Sequence, residues 1–217
     1  VFPKLQAETF QQTWLKGAKL LIDNNWEVQN LVVHIQNPAA YDEKIHKRIA
    51  DFANANHLIG PKHVAYTIFP HKLYETYTTS ASLFHAYNRQ GGLYERLRRR
   101  PRSGWGTYFR RMTHYENNKC TINQLKNIID AIDNRRKIYK AAYTIVIQKP
   151  GGETIRPLGG PCLNYIAVQL KSEVRELGLL CVYRNHDYLE RAYGNYWGLC
   201  NLCRVSLLMK LVQVLAH

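Results

Sequence analysis

The apolar positions in the first part of the chain recur with a helical period. An amphipathic helix is predicted over residues 9–24 because every third or fourth position on one face is apolar: Phe10, Trp14, Ala18 and Leu21. The same spacing predicts a second helix over residues 41–54. Residues 73–98 are predicted to be helical with an interruption at Gly91-Gly92. Thr121 is a suitable N-cap for a further helix that ends at Asp133.

Short apolar runs bounded by turn residues predict strands between and after these helices. They cover residues 31–35, 64–69 and 139–148, and then 163–171 and 177–183. The last two are joined by a short connection, which favours an antiparallel hairpin. A long, mostly apolar helix is predicted over residues 196–217. With no repeat and no clear linker, the pattern indicates one α+β domain over residues 1–217.

The charge of the chain adds a prediction about its partners. The formal net charge is +14 over 217 residues, which favours anionic partners such as nucleotides, nucleic acids or polyacidic cofactors. The densest basic stretch runs from Arg96 to Arg111, and Tyr94, Trp105, Tyr108 and Phe109 are interleaved with it. That composition is typical of nucleic-acid binding, and a solvated charged loop is the alternative.

The cysteines and the apolar runs bear on the compartment. Five cysteines without framework spacing favour thiols in a reducing environment. Neither an apolar signal core nor a membrane-spanning run occurs, so we expect a cytoplasmic protein without a membrane partner. Cys200 and Cys203 have a CxxC spacing inside an apolar run, where core packing is favoured over a metal or redox role, and no metal is expected.

The candidate chemistry is concentrated around Cys162 and Arg184. Cys162 follows a Gly-Gly-Pro turn and precedes a strand, whereas Arg184 follows the neighbouring strand. The two can therefore approach across the hairpin, where a cation would favour the attacking thiolate. Arg135 and Arg136 suit a phosphate, although positive charge near a helix C-terminus is common in itself. Asn195 can pair with the amide edge of uracil or cap a helix.

Four motifs in this order resemble those of the thymidylate synthase family, which includes pyrimidine-nucleotide hydroxymethylases: Arg135-Arg136, Pro161-Cys162, Arg184-Asn185-His186-Asp187 and Gly194-Asn195. The likeness covers residues 121–217. The segment that runs from Trp105 to Arg110 is similar to a weaker version of the family's Tyr-Gly…Trp-Arg segment. The resemblance implies a mixed β-sheet with flanking helices and a homodimer formed through the sheet face.

The resemblance also implies an activity in nucleotide biosynthesis. The implied enzyme would be a methyltransferase that converts dUMP to dTMP with 5,10-methylenetetrahydrofolate after Cys162 attacks C6 of the pyrimidine. Arg184 would hold the 5′-phosphate, and the partner subunit would supply Arg135 and Arg136 to the same group. Asn195 would bind the base, and Asp187 and Trp105 would contact the folate. Asn185 and His186 are expected in the substrate site.

The sequence departs from the family pattern at several positions. Asn185 stands where the family has serine, Ala167 stands where it has glutamine, and Glu75 is a weak candidate for the catalytic glutamate. The family's later His-x-Tyr and its C-terminal tail do not occur before His217. A C-terminally truncated sequence or a member without standard turnover is therefore expected. The alternatives are a pyrimidine-nucleotide hydroxymethylase, a non-catalytic nucleotide- or RNA-binding protein, and a cysteine hydrolase with His186 as its base.

Overall fold

The computed structural model describes residues 2–77, 79–97, 105–117, 120–133, 143–149, 160–171 and 176–206. Their contacts divide the chain into two compact units. The first unit comprises Val1–Phe69 and His186–Arg204, and the second comprises Pro70–Asn185 and Val205–His217. The interpretation of the chain as one domain stays a prediction, while the mixture of helices with small sheets confirms the α+β class.

The first unit begins with a parallel pair of strands joined by a helix. Strand β1 (Lys4–Ala7) pairs with β2 (Val32–Ile35), and helix α1 (Phe10–Asp23) lies between them in sequence. The Thr9 side chain accepts a hydrogen bond from the backbone N–H of Gln12, which caps α1 as its N-terminal residue type favours. The helix predicted at residues 9–24 and the strand predicted at residues 31–35 are thus confirmed as α1 and β2, whereas the sequence predicted no strand at β1.

Three further helices complete the first unit: α2 (Glu43–Ala55), α3 (Pro61–Ile68) and α8 (Tyr193–Asn201). Helix α8 continues from a π-helical turn at Tyr188–Ala192 and into another at Leu202–Ser206. It packs closely on α3, because Gly194 and Gly198 present no side chains toward it. The buried core joins α1, α2 and α8 through aromatic and aliphatic side chains: Phe10, Trp14, Ile49, Tyr193, Tyr196 and Cys200.

An antiparallel sheet of three strands forms the centre of the second unit. Strand β6 (Leu163–Lys171) lies between β5 (Thr144–Val146) and β7 (Glu176–Tyr183). One face is buried, with Ile145 and Ile166 both fully buried. The opposite face carries exposed apolar side chains in neighbouring rows, at Val146, Leu180 and Val182. The predicted hairpin at residues 163–171 and 177–183 is confirmed.

The helices of the second unit are α4 (His71–Thr76), α5 (Ser80–Leu97), α6 (Tyr108–Thr113) and α7 (Gln124–Asp133). A short antiparallel pair, β3 (Tyr115–Glu116) and β4 (Thr121–Ile122), precedes α7. Fully buried side chains of α6 and α7 form the core beside the sheet, among them Phe109, Met112 and Leu125. No helix in the described ranges has the length and apolarity needed to cross a membrane.

Three sequence predictions about elements are wrong. Residues 64–69 were expected as a strand, and α3 occupies them, because Pro61 starts a helix whose apolar face packs on α8. Helix α5 passes through Gly91-Gly92 without a break. Thr121 belongs to β4 instead of capping α7, and the side chain of Asn123 accepts the hydrogen bond from the Lys126 backbone N–H.

Candidate active site

The hairpin of β6 and β7 places Cys162 beside Arg184. Leu163 at the start of β6 is in register with Tyr183 at the end of β7. One position farther, the backbone N–H of Arg184 donates to the carbonyl oxygen of Cys162 at 3.0 Å. The approach of these two residues across the hairpin is thus confirmed, while their chemical roles stay predictions.

The side chain of Arg184 turns back over the residues that precede the cysteine. Its Nε donates to the carbonyl oxygen of Pro161 at 3.0 Å. A Cβ atom at Gly160 would lie 2.8 Å from the Arg184 Nη2, closer than atoms of this kind approach. Glycine at position 160 therefore leaves the space in which the guanidinium lies. The turn and the arginine form one unit of structure.

The Tyr108 side chain contacts the backbone of Cys162. The backbone N–H of Cys162 donates to the Tyr108 hydroxyl oxygen at 3.2 Å, and the cysteine is half-buried. The Tyr108 ring packs against Trp105, with 4.7 Å between ring centroids. Sequence reasoning placed Tyr108 in a family-like segment but did not single it out. Only the resemblance of the segment from Trp105 to Arg110 to the family pattern pointed to Tyr108. The spacing between positions 108 and 162 does not predict that the two residues are in contact.

Arg111 anchors the segment that contains Trp105 and Tyr108. Its Nε donates to the Trp105 carbonyl oxygen and its Nη1 to the Ile147 carbonyl oxygen, both at 2.9 Å. The arginine is 7% exposed, and its Cζ lies 5.8 Å from the centroid of the Trp105 ring. Two hydrogen bonds to carbonyl oxygens satisfy a charge that would otherwise be costly to bury.

This arrangement corrects part of the predicted nucleic-acid surface. Arg111, Tyr108 and Phe109 are buried, so their side chains are used for packing instead of for stacking on bases. Trp105, which was expected to contact folate, is half-buried against Tyr108 and Arg111. The basic residues at 98–102 lie outside the described residues, and the side chain of Arg96 is not described.

His186 and Asn195 form a hydrogen-bonded pair in the first unit. The distance between the Asn195 Nδ2 and the His186 Nε2 is 2.8 Å. Burial lowers the pKa of His186 to about 4, although the nearby Asp187 carboxylate opposes this shift. The imidazole is therefore neutral at neutral pH, and its Nε2 can accept a hydrogen bond from the amide.

Asn195 is itself almost completely buried. It is the third residue of α8, 2% exposed, and its Oδ1 has no hydrogen-bond partner among the described residues. A buried carbonyl oxygen without a donor carries an energetic cost, so an unsatisfied atom of this kind calls for a structural or functional explanation. The alternative role of Asn195 as a helix cap is wrong, since its side chain makes no bond to the start of α8.

Asp187 and Asn185 lie at the surface. The Oδ1 of Asp187 accepts a hydrogen bond from the Glu190 backbone N–H at 3.1 Å, which caps the π-helical turn before α8. Asn185 is exposed. Glu75, the weak candidate for a catalytic glutamate, is an exposed residue of α4 in an ion pair with His71 at 3.6 Å. Arg135 and Arg136 lie outside the described residues.

The remaining cysteines agree with a packing role for the CxxC pair. Cys200 and Cys203 are both buried, and burial raises the pKa of the Cys203 thiol to about 11. Within the described ranges no three histidine, cysteine or acidic side chains are grouped as metal ligands. All five cysteines of the sequence are present as thiols.

Comparison with models of protein families finds no match for this chain, and comparison with curated proteins finds no match either. Any functional assignment therefore depends on the geometry of these residues and on the resemblance of their motifs.

Proposed function

We propose that this protein catalyses the folate-dependent C5 methylation of a pyrimidine nucleotide, most simply dUMP to dTMP. The observation that carries the proposal is the pairing of Cys162 with Arg184 at the open end of the hairpin. A cation held beside the turn that carries a thiol favours the attacking thiolate, and a guanidinium also suits a phosphate. One nucleophile and one anion-binding group are thus available together.

In the proposed reaction the Cys162 sulfur adds to C6 of the pyrimidine. The electron pair of the C5–C6 double bond then makes C5 nucleophilic, so that C5 can form a bond to a one-carbon unit. Loss of the C5 proton then lets the bond between the one-carbon unit and its carrier nitrogen break, which leaves a methylene group on C5. Hydride transfer from the reduced folate to this methylene, with expulsion of the cysteine thiolate, would give the methyl group and restore the C5–C6 double bond. The backbone of Cys162 is held by Tyr108 and Arg184, which keeps the thiol in a defined position for attack.

The described residues fit the folate less completely than the nucleotide. 5,10-Methylenetetrahydrofolate would supply the one-carbon unit and, in a synthase, the hydride. The exposed carboxylate of Asp187 can accept hydrogen bonds from a pterin ring. Trp105, by contrast, is already packed against protein side chains. A hydroxymethylase, in which water ends the reaction, is the alternative within the same chemistry.

Asn195 and the sheet support two further parts of the proposal. The Asn195 carbonyl oxygen, buried without a partner among the described residues, suits the N3–H donor of uracil. The exposed row of Val146, Leu180 and Val182 is an apolar face of the kind that homodimers bury. The phosphate arginines Arg135 and Arg136 would then act across the dimer.

The decisive experiment is covalent capture of 5-fluoro-dUMP in the presence of methylenetetrahydrofolate, measured by intact-protein mass spectrometry. The unaltered protein should gain the mass of both ligands, and Cys162→Ser should gain neither because serine is a far weaker nucleophile. Cys120→Ser is the matched control, since Cys120 is an exposed thiol of the same unit. Capture by Cys162→Ser, or none by the unaltered protein, would contradict the proposal. In the second case, nucleotide binding without turnover becomes the better reading.

A further inference from the structure

The second unit has an open cleft, and the residues that line it are distant in sequence from the β6–β7 hairpin. Its volume is about 500 Å³, and its walls come from α5, from α6 with the residue after it, and from the start of α7. The basic side chains that line it are Arg89, Arg110, Lys126, His85 and His114. No acidic residue is among the described residues that line it. A ligand in this cleft would meet positive charge from three helices.

The period of α5 explains one wall of the cleft. Positions 81, 84, 85, 88 and 89 lie on one helical face, and all five line the cleft. Phe84 on this face is buried against Phe109, while His85 and Arg89 are exposed. This face of α5 therefore packs into the core through Phe84 and places the basic side chains of His85 and Arg89 at the edge of the cleft.

Arg110 is held in place on the opposite wall. Its Nη1 donates to the Asn88 carbonyl oxygen at 3.3 Å, which ties α6 to α5. The Asn88 side chain in turn donates to the Thr113 hydroxyl at 3.1 Å. A guanidinium whose rotamer is fixed by such bonds loses little conformational entropy when an anion binds.

The nearest carboxylates compensate this charge only in part. Glu116 lies 3.7 Å from the Arg110 Nη2 and 3.5 Å from the His114 Nε2, but its side chain is 59% exposed. Lys126 pairs with Asp130 one helical turn away, and the Asp130 side chain is 43% exposed. The carboxylate of each pair is open to solvent, which screens the interaction, so an anion with several charges can compete for the cations. Arg89 is exposed at the rim.

We infer that this cleft binds the phosphate groups of a small ligand that carries two or more linked phosphates. Arg89, Arg110 and Lys126 line one volume of nucleotide size from three helices, so neighbouring phosphates can each meet one of them. The inference does not depend on the Cys162 chemistry, because the cleft shares no residue with the hairpin end.

Titration with inorganic tripolyphosphate tests the inference, with isothermal calorimetry as the readout and ionic strength held constant with NaCl. The double variant Arg89→Gln with Lys126→Gln should bind at least about tenfold more weakly, because two charge-assisted hydrogen bonds are lost. Lys72→Gln is the control, since Lys72 is an exposed lysine of the same unit that does not line the cleft. Circular dichroism verifies that each variant is folded.

Unchanged affinity in the folded double variant would overturn the inference, as would the absence of tripolyphosphate binding by the unaltered protein. Binding of a single-stranded oligonucleotide without binding of tripolyphosphate would also overturn it, since the surface would then recognise nucleic acid. The cleft double variant should still capture 5-fluoro-dUMP, because neither of its substituted residues belongs to the hairpin end. A failure of the cleft is therefore distinguishable from a failure of the proposed enzyme.

Discussion

The end of the β6–β7 hairpin and the start of α8 hold their polar groups in different ways. At the hairpin end, Cys162 and Arg184 are tied by backbone hydrogen bonds, and their side chains are half-buried or exposed. At the start of α8, Asn195 is buried and bonded to His186 through side chains. The first arrangement leaves reactive groups accessible. The second makes polar groups part of the core, so substitutions there should affect stability more strongly.

The largest effect on stability is expected from a substitution at the point where α8 packs on α3. A Cβ atom at position 194 would lie 2.5 Å from the Val64 Cβ and 2.7 Å from the Pro61 carbonyl oxygen. Gly194→Ala should therefore lower the free energy of unfolding by about 2 to 3 kcal/mol, as measured by urea denaturation. The overpacking outweighs the gain of about 1 kcal/mol in helix propensity.

Gly91→Ala is the matched control for that substitution. The nearest atom to a Cβ at this helical position is the Arg110 Cδ at 3.6 Å, an ordinary contact. This variant should be more stable by about 0.5 to 1 kcal/mol, because alanine is the better helix former. If the two variants changed stability equally, close packing of α8 on α3 would not be the reason for glycine at position 194.

The pH dependence of stability should report the burial of His186. Its pKa is about 4 in the folded state, below the ordinary value of 6.5, so the unfolded state binds more protons between these values. Stability is therefore fully present above about pH 6.5 and is lost as the pH falls toward 4. His186→Gln should weaken this slope, with a difference of up to about 3 kcal/mol at the acid end.

Denaturation at a series of pH values measures this effect, and His34→Gln is the control. His34 is an exposed residue of β2, so His34→Gln makes the same substitution outside the hydrogen-bonded pair of His186 and Asn195. A His186→Gln protein with the same slope as the unaltered protein would show that His186 is protonated alike in the folded and unfolded states.

The smallest expected effect on stability is at Arg184. Its side chain lies at the surface and makes one hydrogen bond to the Pro161 carbonyl oxygen, so Arg184→Gln should cost about 1 kcal/mol or less. If Arg184 binds the 5′-phosphate as proposed, the affinity for dUMP should nevertheless fall by about tenfold or more, because that charged contact would be lost. Calorimetric titration with dUMP measures this.

Arg191→Gln removes the same charge from an exposed position outside the hairpin and serves as the control. Equal dUMP affinity in the two variants would contradict the proposal that Arg184 binds the phosphate. If Arg184→Gln lowered stability as much as Gly194→Ala does, the hairpin end and the start of α8 would not differ in their contribution to stability.

Local patterns predicted elements well where a cap or a period was strong. The first helix follows Thr9 as expected, and the hairpin follows from two apolar runs with a short connection. Residues 64–69 were predicted wrongly because Val64, Thr67 and Ile68 favour a strand locally. The helical alternative depends on contact with Gly194 and Gly198, which lie more than a hundred positions away.

The candidate site likewise has contacts that the sequence predicts and contacts that it does not. From the sequence, Cys162 and Arg184 could be placed across a hairpin because strand pairing follows from local pattern and loop length. The contact of Tyr108 with Cys162, the burial of Arg111 and the pairing of His186 with Asn195 could not be deduced. Each depends on packing between segments that are distant in sequence or on the degree of burial.

The sequence by itself determined the α+β class, the amphipathic helices, the hairpin and the position of a cysteine next to an arginine across it. These follow from side-chain period and turn chemistry, which act over a few residues. Only the tertiary structure decided that part of the basic segment from Arg96 to Arg111 is buried in the core. It also decided that basic side chains from three helices line a separate cleft. Burial and convergence depend on which elements pack together, and no local pattern records that choice.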